Sequence, residues 1–288
     1  MTAPEEMPQG WPMRAHSRVI ICPPHRWHVQ IMGEGPTLLL IHGAGGATHS
    51  WRGLAPILAR THRVVAIDLP GQGFTRPGRR DRFGLDAMAE DIAALIAQEG
   101  LAPLAAIGHS AGGAVVLRLA ELLPLRAAIG INAALGGFEG LAGLMFPFLA
   151  RSLSLTPFVP GLFARLSGTT NRVRGLIGST GSIIDNEGIE LYRQLVSRPD
   201  HVDGALGMMA QWRLEGLLER LPDIAIPTLL IAGLQDRTVP PEMSARAAGR
   251  MPQACYAPVE GLGHLMHEEA PDTVAGGILP FLEGLRIR

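Results

Sequence analysis

The chain has 288 residues, of which 47% are hydrophobic and 18% are charged, so it is long and apolar enough to bury a large core. Its formal net charge is −1 and it contains no basic block, which excludes the clustered positive charge that nucleic-acid binding needs. All 25 basic residues are arginine, so the chain has no P-loop lysine, Schiff-base lysine or serine–lysine dyad.

The cysteines and the longest apolar runs indicate the cellular compartment. Cys22 and Cys255 are far apart and have neither metal nor redox spacing, so we expect both to be buried free thiols. The first ten residues contain no apolar segment of a signal peptide, and no run has the roughly 20 apolar residues of a membrane-spanning helix. We therefore expect a cytoplasmic protein with at most peripheral membrane contact.

Strands and helices are predicted to alternate through the first half of the chain, after a loose arm over residues 1–16. The predicted strands cover 18–21, 27–32, 37–41, 63–67, 104–107 and 126–131. The predicted helices cover 50–59, 85–98 and 114–123. Because the later strands are uniformly apolar, we expect a sheet that is buried on both faces.

The alternation stops between residues 134 and 212, which are rich in Leu, Phe, Gly and Met and predict a helical lid. It resumes with strands over 227–232 and 254–258 and helices over 241–250 and 269–285, the last distorted by Gly276, Gly277 and Pro280. The fold class is therefore α/β, with a mostly parallel sheet, helices on both faces and a lid insertion. We predict a core of residues 1–133 and 213–288 and a lid of residues 134–212.

The most informative segment is Gly108-His109-Ser110-Ala111-Gly112, which lies between a predicted strand and a predicted helix. This pattern is typical of a nucleophile elbow, in which a strained turn exposes the serine hydroxyl above the sheet. The helix that follows directs its N-terminal N–H groups at the place where negative charge develops. Ser110 is therefore the candidate nucleophile, although a simple helix cap is the alternative interpretation.

A serine nucleophile needs a base and an acid that orients the base. His264 follows the last predicted strand and is the candidate base, with His267 as its competitor; Asp236 follows the 227–232 strand and is the candidate acid. Asp236 could instead be a plain turn residue, but the other strand end that could supply the acid holds Asn132, which is not a carboxylate. The order Ser, Asp, His is that of α/β-hydrolases.

The oxyanion of acyl transfer needs two N–H donors, for which we predict the backbone amides of Ala44 and Ala111. The loop of Ala44 also contains Gly43-x-Gly45, but Thr48 occupies the third glycine position of a dinucleotide-binding loop. A metal pair formed by His264 and His267 lacks a third ligand at suitable spacing. We therefore predict no metal and no cofactor.

Several of these segments together resemble the α/β-hydrolase superfamily. They are His42-Gly43, Asp68-x-Pro70-Gly71-x-Gly73, Gly108-His109-Ser110-x-Gly112-Gly113, Asp236-x-x-Val239-Pro240 and Gly263-His264. They occur in the order of that superfamily, and the resemblance extends from about residue 25 to the end. It implies a serine hydrolase with a lid. The lid's apolar residues, at 141, 144–146, 148, 158, 163, 208 and 209, favour a hydrophobic ester or acyl substrate.

Four further segments resemble a narrower family, the magnesium-chelatase accessory proteins of bacteriochlorophyll synthesis (BchO). They are Trp27-His28-Val29-Gln30, Thr48-His49-Ser50-Trp51-Arg52, Ser179-Thr180-Gly181-Ser182 and Ala205-Leu206-Gly207-Met208-Met209-Ala210-Gln211-Trp212. This resemblance implies magnesium chelatase or a porphyrin as a partner. It also implies an alternative to hydrolysis, a non-catalytic accessory or porphyrin-binding protein. No clustered carboxylates follow the predicted strands, so any role in magnesium chelation would be indirect.

Overall fold

A computed structural model describes residue 4 and residues 6–136 and 169–285 of the chain. The apolar lid residues between 141 and 163 that the sequence singles out lie outside these described residues. No helix within the described ranges is both long enough and apolar enough to cross a bilayer.

Eight strands form one sheet in the order β1-β2-β4-β3-β5-β6-β7-β8, in which β2 runs antiparallel to its neighbours and β3 to β8 are parallel. The strands are β1 (Ser17–Cys22), β2 (His25–Met32), β3 (Thr37–Ile41), β4 (Arg63–Ile67), β5 (Pro103–His109), β6 (Ala127–Ile131), β7 (Thr228–Gly233) and β8 (Ala254–Val259). Every predicted strand is present, so the prediction of a mostly parallel α/β sheet is confirmed.

Both faces of the sheet are buried. In β3, Leu38 and Leu40 pack into one apolar cluster, whereas Leu39 and Ile41 pack into another on the opposite face. The first cluster includes side chains of helices α1 and α10, and the second includes side chains of α2 and α3. Successive strand residues point to opposite faces, so a strand covered on both sides must be apolar throughout.

Ten α-helices occur among the described residues. They are α1 (Leu54–Leu58), α2 (Leu85–Gln98), α3 (Ala111–Ala120), α4 (Thr170–Ser179), α5 (Asn186–Val196), α6 (Pro199–Gln211), α7 (Glu215–Arg220), α8 (Pro241–Ala248), α9 (Met266–Glu269) and α10 (Pro271–Gly284). Helices α4 to α6 fall within the predicted lid and are called the cap below. The outer limits of that insertion, 134 and 212, stay a prediction.

Prolines explain two differences between predicted and observed helices. The predicted helix over 50–59 is in fact a 3-10 turn, Thr48–Trp51, followed by the short helix α1. Pro56 has no amide hydrogen and its ring would clash with the carbonyl of Arg52, so it is tolerated only in the first turn of a helix, which is its place in α1. At the end of the chain Pro271 begins a new helix, which separates α9 from α10.

Two other expectations from the sequence are wrong. The described residues of the arm are not loose: Met7 and Trp11 are buried in a cluster with Ala47, Phe74, Leu191 and Leu195, because apolar surfaces of the loops and of α5 meet there. Cys22 is buried as expected, but Cys255 is exposed. Its strand, β8, lies at the edge of the sheet, where no strand among the described residues pairs with its other side.

Candidate active site

Ser110 occupies the sharp turn between β5 and α3. Its backbone angles are φ 52° and ψ −118°, a strained conformation for a residue with a side chain. A Cβ atom at Gly108 would collide with the carbonyl oxygen of Gly112, and one at Gly112 would collide with that of Ile41. The two glycines therefore allow the turn to fit against β3, as the elbow pattern predicts.

His264 and Asp236 form a buried pair after the ends of neighbouring strands. His264 Nδ1 lies 2.7 Å from Asp236 Oδ2, while Asp236 Oδ1 accepts hydrogen bonds from the amides of Thr238 and Val239 at 2.7 and 2.8 Å. The carboxylate thus keeps the proton on Nδ1 and leaves Nε2 as the acceptor that a general base needs. Asp236 pairs in this way with His264 and not with His267.

His109, the last residue of β5 and the chain neighbour of Ser110, contacts His264. The rings of His109 and His264 have centroids 4.7 Å apart, and His109 Nε2 donates to the His264 carbonyl at 2.9 Å. Within the described ranges no hydrogen bond joins the Ser110 hydroxyl directly to His264. In enzymes without substrate such bonds are often long and tighten only in the complex.

Asn132 fixes the loop that carries His264. Its Nδ2 donates to the carbonyls of Gly263 and His264 at 2.9 and 2.7 Å, and its Oδ1 accepts from the Gly233 amide at 2.8 Å. Asn132 has φ 45°, in the left-handed region that Asn tolerates better than most residues. The position considered as an alternative for the acid therefore holds the backbone of the candidate base, a contact that sequence reasoning missed.

The oxyanion loop, residues 43–46, follows β3 and carries Ala44. Neither the Ala44 nor the Ala111 amide has a hydrogen-bond acceptor in the described part of the chain. The Gly43 carbonyl accepts from His42 Nδ1 at 2.7 Å and from the Gly46 amide at 3.0 Å. Because a peptide is planar, holding the Gly43 carbonyl on one side directs the Ala44 N–H to the other.

A buried carboxylate holds the neighbouring loops together. Asp68 accepts hydrogen bonds from His28 Nδ1, the Thr48 amide and the Phe74 amide at 2.6, 2.7 and 2.8 Å. Burial alone would raise its pKa, but the charge and hydrogen bond of His28 lower the pKa of Asp68 to about 2. The Asp68 motif thus supports the loops around the elbow, as a structural element of the site.

His267 lies beneath the site and is fully buried. Its ring centroid is 4.4 Å from that of His109 and 4.8 Å from that of Trp51, and neither ring nitrogen has a hydrogen-bond partner in the described ranges. Burial lowers the pKa of His267 to about 3, so the ring is neutral at physiological pH. A group without access to Asp236 or solvent is poorly placed to be the base.

The cap contacts the loops of both the acid and the base. The Thr180 carbonyl accepts from the Arg237 amide at 3.1 Å, and Ser182 Oγ accepts from the Leu265 amide at 2.7 Å. A Cβ atom at Gly263 would collide with the Gly181 carbonyl oxygen, so the two loops touch through backbone. In residues 4, 6–136 and 169–285, no three or more His, Cys, Asp or Glu side chains are grouped to hold a metal.

Comparison with known proteins identifies the family of this chain. Residues 38–276 match the family model described as the alpha/beta hydrolase family. The chain belongs to the alpha/beta hydrolase family. A solved alpha/beta hydrolase fold protein from Burkholderia ambifaria is 26% identical and superposes with a TM-score of 0.77, over 91% of this chain and 97% of that one.

Two sequence relatives of this hydrolase-family chain differ in what their names say. The Magnesium-chelatase 30 kDa subunit of Rhodobacter capsulatus is 46% identical over 98% of this chain and 99% of the relative. The Pimeloyl-[acyl-carrier protein] methyl ester esterase of Xanthomonas oryzae pv. oryzae is 28% identical over 88% of this chain and 98% of the relative. The first likeness confirms the narrower resemblance seen in the sequence.

Proposed function

We propose that this chain is a serine hydrolase in which Ser110 is the nucleophile, His264 the general base and Asp236 the acid that orients it. The observation that carries the proposal is the 2.7 Å contact between His264 and Asp236, which occurs together with a strained elbow serine whose neighbour His109 contacts His264. Free amides at Ala44 and Ala111 are the candidate oxyanion donors. Loss of one such donor typically costs about 3 kcal/mol of transition-state stabilisation.

The proposed reaction is hydrolysis of an ester or similar acyl bond. Ser110 Oγ attacks the carbonyl carbon while its proton passes to His264 Nε2, which then protonates the leaving alcohol. Water, deprotonated by the same histidine, releases the acid product and restores Ser110. A hydrophobic substrate is supported by the apolar composition of the predicted lid, and an ester bond by the name of the esterase relative.

A second candidate function is supported by the relative that is 46% identical and is named a magnesium-chelatase subunit. In this proposal the chain binds a porphyrin or a chelatase subunit and the serine performs no chemistry. The two candidates differ in whether an activated nucleophile is needed. The described residues contain no group of three or more potential metal ligands. Under either proposal, a role in magnesium chelation would therefore act through the porphyrin or the partner.

Reaction with a fluorophosphonate probe tests the first proposal. We expect covalent labelling of wild-type protein at Ser110, and no labelling of Ser110→Ala or of His264→Ala. Ser110→Ala should remain folded because it removes one oxygen atom from a half-exposed side chain. Absence of labelling in folded wild-type protein would contradict the serine-hydrolase proposal.

Magnesium insertion into protoporphyrin by a chelatase distinguishes the second proposal. If the chain acts only by binding, wild type and Ser110→Ala should stimulate insertion equally at equal protein concentration. Failure of Ser110→Ala alone would show that the hydroxyl is used and would refute the binding-only role.

A further inference from the structure

We propose that His201, on cap helix α6, is a positioning residue for the oxyanion loop and thereby makes the cap part of the catalytic apparatus. This inference rests on the proposed function, because it matters to catalysis only if the Ala44 amide stabilises an oxyanion. His201 belongs to none of the motifs that identify the triad. It is buried and contacts the loop at Gly45.

Both backbone polar groups of Gly45, the residue next to Ala44, are hydrogen-bonded to side chains. Its amide donates to Gln72 Oε1 at 2.7 Å, and its carbonyl accepts from His201 Nε2 at 3.1 Å. Gly45 has φ 76°, a conformation that glycine adopts without strain. The peptides on both sides of Gly45 are therefore oriented by side chains, whereas the loop sequence itself, Gly-Ala-Gly-Gly, is intrinsically flexible.

The second nitrogen of His201 determines which atom donates to the loop. Nδ1 lies 2.9 Å from the Gly73 amide and must accept its hydrogen bond, so the proton of the neutral ring is on Nε2. Burial lowers the pKa of His201 to about 4, which keeps the ring neutral at physiological pH. A neutral ring with this tautomer matches one backbone donor and one backbone acceptor.

One face of α6 rests on the loop that follows β4. His201, Gly204 and Met208, at helical spacing, contact Gly73, Gly71 and Gln72. A Cβ atom at Gly204 would collide with the carbonyl oxygen of Gly71, so helix and loop meet backbone to backbone. Gln72 Nε2 lies 3.2 Å from the Met208 sulfur, while Gln72 Oε1 accepts the hydrogen bond of the Gly45 amide. The cap and the oxyanion loop are thus joined through two routes.

The contacts of His42, Gln72 and His201 together orient the Ala44 N–H. His42 orients the peptide group between Gly43 and Ala44 through the Gly43 carbonyl. Gln72 orients the next peptide group through the Gly45 amide, and His201 orients the one after that through the Gly45 carbonyl. Without His201 the Gly45 carbonyl loses its partner, and a loop of small residues gains freedom. Misplacement of a reacting group by about 1 Å can lower the rate roughly 100-fold, so a loosened donor lowers kcat without removing substrate contacts.

Two substitutions separate the two hydrogen bonds of His201. His201→Gln can place an Nε2 donor near the Gly45 carbonyl, whereas His201→Asn can place an Oδ1 acceptor near the Gly73 amide. With p-nitrophenyl butyrate we expect kcat of His201→Asn to fall by roughly tenfold to a hundredfold with little change in KM. His201→Gln should retain most of kcat. The exposed His16→Asn is the matched control and should resemble wild type.

A merely structural role predicts a different result: both variants would lose activity in proportion to lost folded protein. Equal kcat values for folded His201→Asn and wild type would overturn the inference while leaving the serine-hydrolase proposal intact. Hydrogen–deuterium exchange of residues 43–47 gives a readout that needs no turnover. Faster exchange in His201→Asn than in His201→Gln supports the inference, and equal exchange contradicts it, even if the fluorophosphonate fails to label the wild type.

Discussion

At the scale of single residues, the site is organised by side chains that hydrogen-bond to the backbone of neighbouring loops. Asn132 holds the carbonyls of Gly263 and His264, and His42 holds the carbonyl of Gly43. Each of these bonds orients a loop that carries a candidate catalytic group. Because loop backbone is less constrained than a strand, such anchors decide where the imidazole and the N–H donors point.

Asn132→Gly tests the anchor of the base loop. Glycine tolerates the φ of 45° at this position, so the substitution removes the side chain without straining the backbone. Two buried carbonyls and one amide lose a partner, which should lower the free energy of unfolding by roughly 1–3 kcal/mol. We also expect kcat on p-nitrophenyl butyrate to fall more than KM changes. Asn132→Asp, which cannot donate, should show the same loss of kcat; normal kcat in both variants would refute the anchoring role.

At the scale of elements, the cap meets the core through close backbone contacts. Helix α6 rests on the loop after β4 at Gly204, and the segment between α4 and α5 touches the base loop at Gly181. These glycines lie in the predicted lid, where no catalytic motif signals a function. Their lack of side chains allows the cap to approach the loops that carry the candidate acid and the candidate base, and the loop after β4 whose Gln72 contacts Gly45.

Gly204→Ala should separate α6 from the core. The added methyl group would collide with the Gly71 carbonyl oxygen, and we expect overpacking to cost roughly 1–3 kcal/mol in urea unfolding. The kcat of the proposed esterase should fall as well, since α6 also carries His201. Gly276→Ala in α10 is the matched control, because its Cβ position has no described atom within 4 Å apart from its chain neighbours and the backbone of its own helix. Helix propensity predicts that this control gains up to about 1 kcal/mol. Equal stability of the two variants would contradict the close contact.

At the scale of the whole molecule, the arm, the cap and the core form one packed unit. Trp11 of the arm packs in the same cluster as Leu195 of α5. Arg52 from the core forms ion pairs with Asp185 at the start of α5 and with Glu268 of α9, and the Tyr192 hydroxyl donates to Glu268 at 2.7 Å. Burial lowers the pKa of His201 and of His267, so both contribute to this unit in their neutral form, which makes its stability depend on pH.

His267 provides a test of that pH dependence. Its pKa is about 3 in the folded chain against 6.5 for an ordinary histidine, because burial disfavours the charged ring. As pH falls below 6.5 the unfolded chain takes up a proton that the folded chain does not, so stability is lost on acidification. Because pH 5 lies 1.5 units below the ordinary histidine pKa of 6.5, this proton uptake lowers the free energy of unfolding at pH 5 by about 2 kcal/mol.

We therefore expect His267→Phe to lose less stability than wild type between pH 8 and pH 5, by about 2 kcal/mol in urea unfolding. Burial raises the pKa of Glu268 to about 7 despite Arg52, and this opposes the histidine effect because a protonated Glu268 is favoured as pH falls. Glu268 is present in both proteins, so the difference between them isolates His267. Identical pH dependence of wild type and variant would contradict a neutral buried ring.

The sequence alone determined the strands and the segments at their ends. Continuous apolar runs such as residues 37–41 are local patterns that burial on both faces demands, and β3 has the predicted bounds, Thr37–Ile41. The elbow around Ser110 is local as well, since its glycines are needed by the turn itself. Chain order then suggested Asp236 and His264 as its partners.

Only the tertiary structure decided which of these residues meet. Three contacts join residues that are far apart in the chain. Asp236 pairs with His264 and not with His267. Asn132 hydrogen-bonds to the His264 carbonyl, and His201 hydrogen-bonds to Gly45. The packing of Trp11 against the cap cluster is of the same kind. Local periodicity carries no information about such contacts, because they depend on how the strands are ordered in the sheet and where the cap rests on their ends.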